Sequence, residues 1–170
     1  MEEKEQRLIF NNWIGQYKAM LFKVVRVYAF TENDRDDLFQ EIAIQVWHSI
    51  PNFRKESAES TWIYRVALNT AMRWTRKERR HHDGRQSMDK IEYLLEENTE
   101  NIDDRLAWLY REISQLPEID RSLTLLMLDG YSYKEMAEMT GVSDTNIGVK
   151  IHRIKKHLTD KSLKYDHHGV

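Results

Sequence analysis

Residues 141–158 read Gly-Val-Ser-Asp-Thr-Asn-Ile-Gly-Val-Lys-Ile-His-Arg-Ile-Lys-Lys-His-Leu. The amide of Asn146 can meet an adenine edge with a paired donor and acceptor, and Lys150 or Arg153 can meet guanine or a phosphate. Ile147, Ile151, Ile154 and Leu158 recur at a spacing of three or four, the spacing of one buried helix face. That leaves Asp144, Thr145, Asn146, Gly148, Val149, Lys150, His152, Arg153, Lys155 and Lys156 outward or lateral. Asn146, nearest the N-terminus, is the better candidate for reading a base. Lys150 suits a base or a phosphate, and Arg153, Lys155 and Lys156 suit phosphates. A second basic cluster, Arg73, Arg76, Lys77, Arg79 and Arg80, contains one acid, Glu78. Cations also gather at helix C-termini because the dipole favours them there. Asp37, Gln40 and Glu41 form a third group, whose spacing puts their polar ends on one helix surface.

Bond-making chemistry has little support. There are no cysteines, hence no thiolate ligand or nucleophile. His81-His82 and His167-His168 are adjacent pairs, which do not share a helix face, and an HExxH spacing and a glycine-rich phosphate loop are both missing. No metal or cofactor is expected. The net charge of −2 argues against a protein that simply coats DNA. No apolar run approaches the ~20 residues that span a bilayer, and Met1–Glu5 lacks a signal-peptide core. A cytoplasmic location is expected.

The elements that position these groups are helical. Glycine and proline number 6 and 2, and strand-like alternation is absent. Ile9, Trp13, Tyr17, Leu21, Val24 and Tyr28 predict a helix over about Glu5–Phe30. Thr31 with Asp34 reads as the start of a second, which carries Leu38, Ile42, Val46 and Trp47 and ends at Pro51-Asn52. A polar loop, Arg54 to Ser60, precedes a third helix over Thr61–Arg80, with Trp62, Ile63, Val66, Ala67 and Ala71 on its apolar side. Trp62 has core spacing, while Trp74 leaves packing and base stacking both open.

Composition shifts after residue 80. Residues 81–101 are polar and acidic and read as a linker, with a short helix around Ile91–Leu95. A second domain begins near Ile102. Leu106, Leu109, Ile113 and Leu116 predict a helix closed by Pro117, and Leu123, Leu126 and Met127 predict another with Gly130 as its C-cap. Ser132 and Glu135 form a capping box for a short helix, Tyr133 to Thr140, followed by a turn at Gly141-Val142-Ser143 and a last helix over Asp144–Leu158. This is the helix-turn-helix pattern. Residues 161–170 read as a tail. The expected fold is all-α, with two small helical domains, 5–80 and 102–160, joined by an acidic linker.

Several stretches resemble one family. Asp37-Leu38-Phe39-Gln40-Glu41 with Val46-Trp47 resembles the polymerase-binding signature of sigma region 2. Phe53-Arg54-Lys55-Glu56-Ser57 and Thr61-Trp62-Ile63-Tyr64-Arg65-Val66-Ala67-Leu68-Asn69 resemble its promoter-melting segment. Leu116-Pro117, Leu128-Asp129-Gly130-Tyr131-Ser132-Tyr133-Lys134-Glu135-Met136-Ala137 and Ile151-His152-Arg153 resemble sigma region 4. In order and spacing the chain is similar to extracytoplasmic-function (group 4) sigma factors of the sigma-70 superfamily.

The resemblance implies a non-catalytic specificity subunit that binds core RNA polymerase at the largest-subunit coiled coil and the flap, binds promoter DNA, and is held by an anti-sigma factor without inserting into a membrane. It implies polymerase contacts at Asp37, Gln40 and Glu41. Capture of melted minus-ten DNA would fall to Phe53, Lys55, Ser57, Ser60, Asn69, Arg73, Arg76, Lys77 and Arg80. Minus-thirty-five recognition would fall to Thr145, Asn146, Val149, Lys150, His152, Arg153 and Lys156. The chain departs from the family at Arg73, where an acid is frequent, and at Asn146–Lys150, where a Thr-Val-Lys-Ser-Arg-like run is common. Gly148 also costs the helix ~1 kcal/mol relative to alanine; it either admits the DNA backbone closely or has no role.

Overall fold

Local signals set most helix ends. The Thr31 hydroxyl accepts from the Asp34 N–H at 3.0 Å, the Pro51 ring falls in a single 3-10 turn, and Gly141 closes a helix in the left-handed region at φ 76°. The structure, a computed structural model, describes residues 1–81 and 103–167. Among these residues there are seven α-helices and no strand. They fall into two units, Met1–Arg111 and Glu112–Val170.

The first unit is built on α1 (Glu3–Tyr28), α2 (Glu32–Ser49) and α3 (Glu59–His81), each packed on the other two, with the 3-10 turn Ile50–Asn52 after α2. Its core takes Trp13, Leu21, Val24 and Tyr28 from α1, Leu38, Ile42 and Val46 from α2, and Ile63, Tyr64, Ala67, Leu68 and Ala71 from α3. Burying each of the large aliphatic side chains contributes about 1.5–3 kcal/mol. Ile9 and Tyr17 are only half-buried. α1 stops before Phe30 because Ala29 turns to extended backbone, although its N–H still bonds to the Val25 carbonyl at 2.8 Å. α3 starts at Glu59 rather than Thr61, so Ser60 belongs to its first turn and not to the loop.

The second unit contains α5 (Glu118–Leu128), α6 (Tyr133–Thr140) and α7 (Asp144–His167), packed on one another. The two units divide inside α4 (Asp104–Ser114), after Arg111. Leu106 is exposed and Leu109 half-buried, whereas Ile113 and Leu116 are buried, so only the end of α4 joins the second core. Arg121 ties the α4–α5 turn, its Nε donating to the Leu116 carbonyl at 2.7 Å. α7 runs on to His167, past the expected end at Leu158 and through most of the expected tail. Residues 159–167 lack glycine and proline, and a nucleated helix extends through such a segment without needing its own apolar stripe. The linker at 81–101 and its short helix at Ile91–Leu95 lie outside the described residues, apart from His81 at the end of α3. No helix among the described residues is long and apolar enough to cross a membrane.

Candidate nucleic-acid interface

α6 and α7 form the helix-turn-helix. Ser132 Oγ accepts from the Glu135 N–H at 3.2 Å, and the Ser132 N–H donates to Glu135 Oε2 at 2.7 Å. The Ser132 backbone N–H first, and its hydroxyl second, hold the Glu135 carboxyl below the usual glutamate range. The Gly141 N–H closes α6 on the Ala137 carbonyl at 2.9 Å, and its left-handed backbone turns the chain towards α7. Ser143 Oγ accepts from the Asn146 N–H at 3.4 Å, a long cap. Met136, Met139, Ile147, Ile151 and Ile154 are buried, which fixes α7 against its own domain.

On the opposite face of α7, Thr145, Asn146, Val149, His152, Arg153 and Lys156 are all exposed and lie along one stripe. Val149 offers a methyl-bearing surface among polar neighbours, suited to a thymine methyl. Lys150 has a partner within its own domain. Its Nζ lies 2.8 Å from Asp120 Oδ1 on α5, with the two side chains 34% and 18% exposed. The spacing explains this: Lys150 is three residues after Ile147 and four before Ile154, on the edge of the buried stripe. Gly148 sits beside α6, where an added β-carbon would lie 3.6 Å from the Tyr133 ring, an ordinary contact. Tyr133 is absent from the candidates that sequence reasoning supplies. It is exposed at the first position of α6, the helix that crosses the DNA backbone in this motif. The aromatic residue directly after the Ser132 cap is the available signal.

In the first unit, Asn69, Arg73, Arg76, Lys77 and Arg80 share one face of α3, Asn69 and Arg76 among them at helical spacing with Arg73 and Arg80, and Asn69 is half-buried. Arg65, exposed and one helical turn before Asn69, extends this face and is another residue that the sequence alone does not single out. In the loop before α3, Lys55 and Ser57 are exposed, and Lys55 holds φ 59°. For a lysine that conformation costs about 1–2 kcal/mol.

Phe53 packs among the aromatic residues of the first unit. Its ring packs edge-on against Trp13 at 5.3 Å and tilted against Trp62 at 5.6 Å. Trp62 Nε1 in turn donates to Ser49 Oγ at 3.1 Å, and that hydroxyl donates to the Val46 carbonyl at 2.8 Å. Phe53 and Trp62 therefore anchor the loop, and both rings are half-buried. Trp74 is half-buried.

On α2, Asp37 and Gln40 are placed towards solvent, Asp37 exposed and Gln40 exposed, and the half-buried Glu41 accepts from Gln45 Nε2 at 3.1 Å. Ile44 follows on the same face and is 49% exposed. Ile44 stands seven residues after Asp37, opposite the buried Leu38/Ile42/Val46 stripe.

The two units thus define a helical protein with a helix-turn-helix in one domain and a basic helix face beside an anchored polar loop in the other. Residues 13–81 match the family model for sigma-70 region 2, and residues 106–158 match that for sigma-70 region 4. The chain belongs to the sigma-70 family, in its extracytoplasmic-function group. It is 28% identical to the ECF RNA polymerase sigma-E factor of Escherichia coli (strain K12), over 94% of this chain and 89% of that one. It is also 28% identical to the protein of that name from Haemophilus influenzae, over 89% and 86%. Two solved structures share the fold. CnrH, in complex with the cytosolic domain of CnrY, has a TM-score of 0.64 and 20% identity over 94% of this chain and 90% of its own. RpoE from Bartonella quintana, in complex with the anti-sigma factor NepR, has a TM-score of 0.67 and 16% identity over 89% and 94%.

Proposed function

We propose that this protein is a specificity subunit that directs RNA polymerase to promoters. Region 4 reads minus-thirty-five duplex through α7, and region 2 captures melted minus-ten DNA with α3 and its preceding loop. The observation that carries this reading is the two-sided construction of α7. Ile147, Ile151 and Ile154 lock one face, while Thr145, Asn146, Val149, His152, Arg153 and Lys156 stand exposed on the other. A recognition helix needs such a fixed orientation in the groove.

Asp37, Gln40, Glu41 and Ile44 form the contact for the polymerase largest-subunit coiled coil, and region 4 meets the flap. Lys55, Ser57, Ser60 and Asn69 surround an unpaired base, and Arg73, Arg76, Lys77 and Arg80 hold phosphates. Melting here is binding, because unpaired strand is held more tightly than duplex and no bond is broken. The protein therefore works without catalysis, in the cytoplasm, where the polymerase is. An anti-sigma protein holds it inactive, a reading supported by the anti-sigma factor NepR bound in one of the complexes that share its fold.

Run-off transcription with core polymerase on a promoter library tests this function. Transcripts that require both core enzyme and this chain, and that share two separated sequence elements, are expected. Promoter-independent output would overturn it, as would tight site-specific DNA binding that excludes the polymerase.

A further inference from the structure

One cation on α7 is paired within its own domain. Lys150 Nζ is held 2.8 Å from Asp120 Oδ1, a distance typical of a charge-assisted hydrogen bond. Both side chains are partly withdrawn from water, which shields the pair from salt better than a fully exposed one. Asp120 lies in the first turn of α5, where the positive end of the helix favours a carboxylate. Lys150 cannot keep this bond and also reach along the stripe of Asn146, Val149 and Arg153, because it leaves α7 on the side that packs against α5.

We propose that Asp120 is a positioning residue for promoter recognition. It clamps Lys150 to α5, adds to the hold that the buried isoleucines have on α7, and withdraws one positive charge from the set that meets phosphate. The inference rests on the reading of α7 as the recognition helix. It assigns specificity to an acidic residue that touches no DNA, thirty residues before the lysine it holds.

The test is the salt dependence of holoenzyme binding to a minus-thirty-five duplex, with the full chain in each variant. Removing one lysine–phosphate pairing lowers the logarithmic slope by about 0.9. Lys150→Gln should leave the slope within about 0.3 of the parent, well below that single step. Asp120→Asn should steepen it by about one, because the released lysine finds a phosphate, and should relax the selected sequence. The double variant Asp120→Asn/Lys150→Gln should return to the parent slope; a rise that persisted there would come from the removal of carboxylate–phosphate repulsion and would overturn the clamp.

The exchange Asp120→Lys/Lys150→Asp rebuilds the pair in reverse and should keep the parent slope and sequence preference. If Lys150 instead faced the groove, that exchange would place a carboxylate against DNA and abolish binding, and Lys150→Gln alone would lower the slope by about one. Arg153→Ala and Lys156→Ala in the same titrations separate the two levels. If neither lowers the slope, the recognition-helix reading fails. If both lower it and Lys150→Gln does too, only the Asp120 clamp fails.

Discussion

Asn146 and Lys156 share the exposed stripe of α7 but differ in what they can reach. Asn146 lies in the first turn, the part of a recognition helix that enters the groove, and its amide can pair with a base edge. Lys156 lies about three turns further on, where a flexible ammonium meets backbone phosphate. Asn146→Ala should change the preferred minus-thirty-five sequence at one position, with a loss of ~1–3 kcal/mol on the parent site. Lys156→Ala should weaken all sequences about equally and lower the salt slope by roughly one. Site selection from random duplexes and titration at several salt concentrations check both, and a reversed pattern would reverse the helix in the groove.

Glu135 makes a pH prediction at the same scale. Its folded-state pKa is depressed by the Ser132 N–H and hydroxyl. The stability this contributes is therefore present above the unfolded glutamate value of about 4.3 and is lost as pH falls through the lower folded value. The melting temperature of the parent protein should exceed that of Glu135→Gln at neutral pH, and the gap should close in acid. A gap independent of pH would show that the charge of the capping box is irrelevant.

Single residues are most legible in the sequence where their surroundings are local. Ser132, Glu135 and Gly141 depend on neighbours within one turn, and their roles follow from residue type and spacing. Phe53 depends on Trp13, far away in the chain, and Lys150 on Asp120. Sequence offers no direct view of such pairings, although the spacing of Lys150 from Ile147 and Ile154 already points inward.

At the scale of elements, α7 combines a rigid section with a weak point. Gly148 costs helix stability, and the space beside it accepts a β-carbon at 3.6 Å from the Tyr133 ring. Gly148→Ala should therefore stabilise the second domain by about 1 kcal/mol. For a domain of this size that is a rise in melting temperature of roughly 4–8 °C. Differential scanning calorimetry checks it; a fall would mean that the Tyr133 ring cannot yield and that the glycine is required for packing.

Apolar periodicity locates the helices because each must bury one face, and capping residues locate most of their starts. The same reasoning misplaces the end of α7. Thr159 to His167 has no apolar stripe to signal helix, yet it follows three buried isoleucines that nucleate the helix, and no breaker intervenes. It also begins α3 two residues late, because Glu59 and Ser60 look like loop residues but suit a first helical turn.

At the scale of the whole molecule, each unit has its own core. Trp13, Leu38, Ile42 and Tyr64 belong to one, and Ile113, Leu123, Met136 and Ile151 to the other. Polar changes on the surface of one unit should therefore leave the other's DNA-binding work intact. Asn69 is the sharpest place to test this. It is half-buried on α3, at the head of the basic stripe Arg73, Arg76, Lys77 and Arg80, and the loop that precedes α3 is pinned through Phe53 to Trp13 and Trp62. An amide there can pair with the Watson–Crick edge of an extruded base. Asn69→Ala removes the pairing groups without opening a large cavity, so the fold should survive. Opening a promoter exchanges base stacking, a few kcal/mol per extruded base, for interactions with the protein. Removing one hydrogen bond worth about 1 kcal/mol should lower the open fraction severalfold. Permanganate reactivity of minus-ten thymines should fall by that factor in the holoenzyme carrying Asn69→Ala. Binding to a minus-thirty-five duplex and its salt slope should match the parent, and a template already unpaired at minus-ten should restore much of the initiation rate. Normal melting in this variant would move the base pocket away from Asn69, and a parallel loss of minus-thirty-five binding would mean that the two units do not act separately.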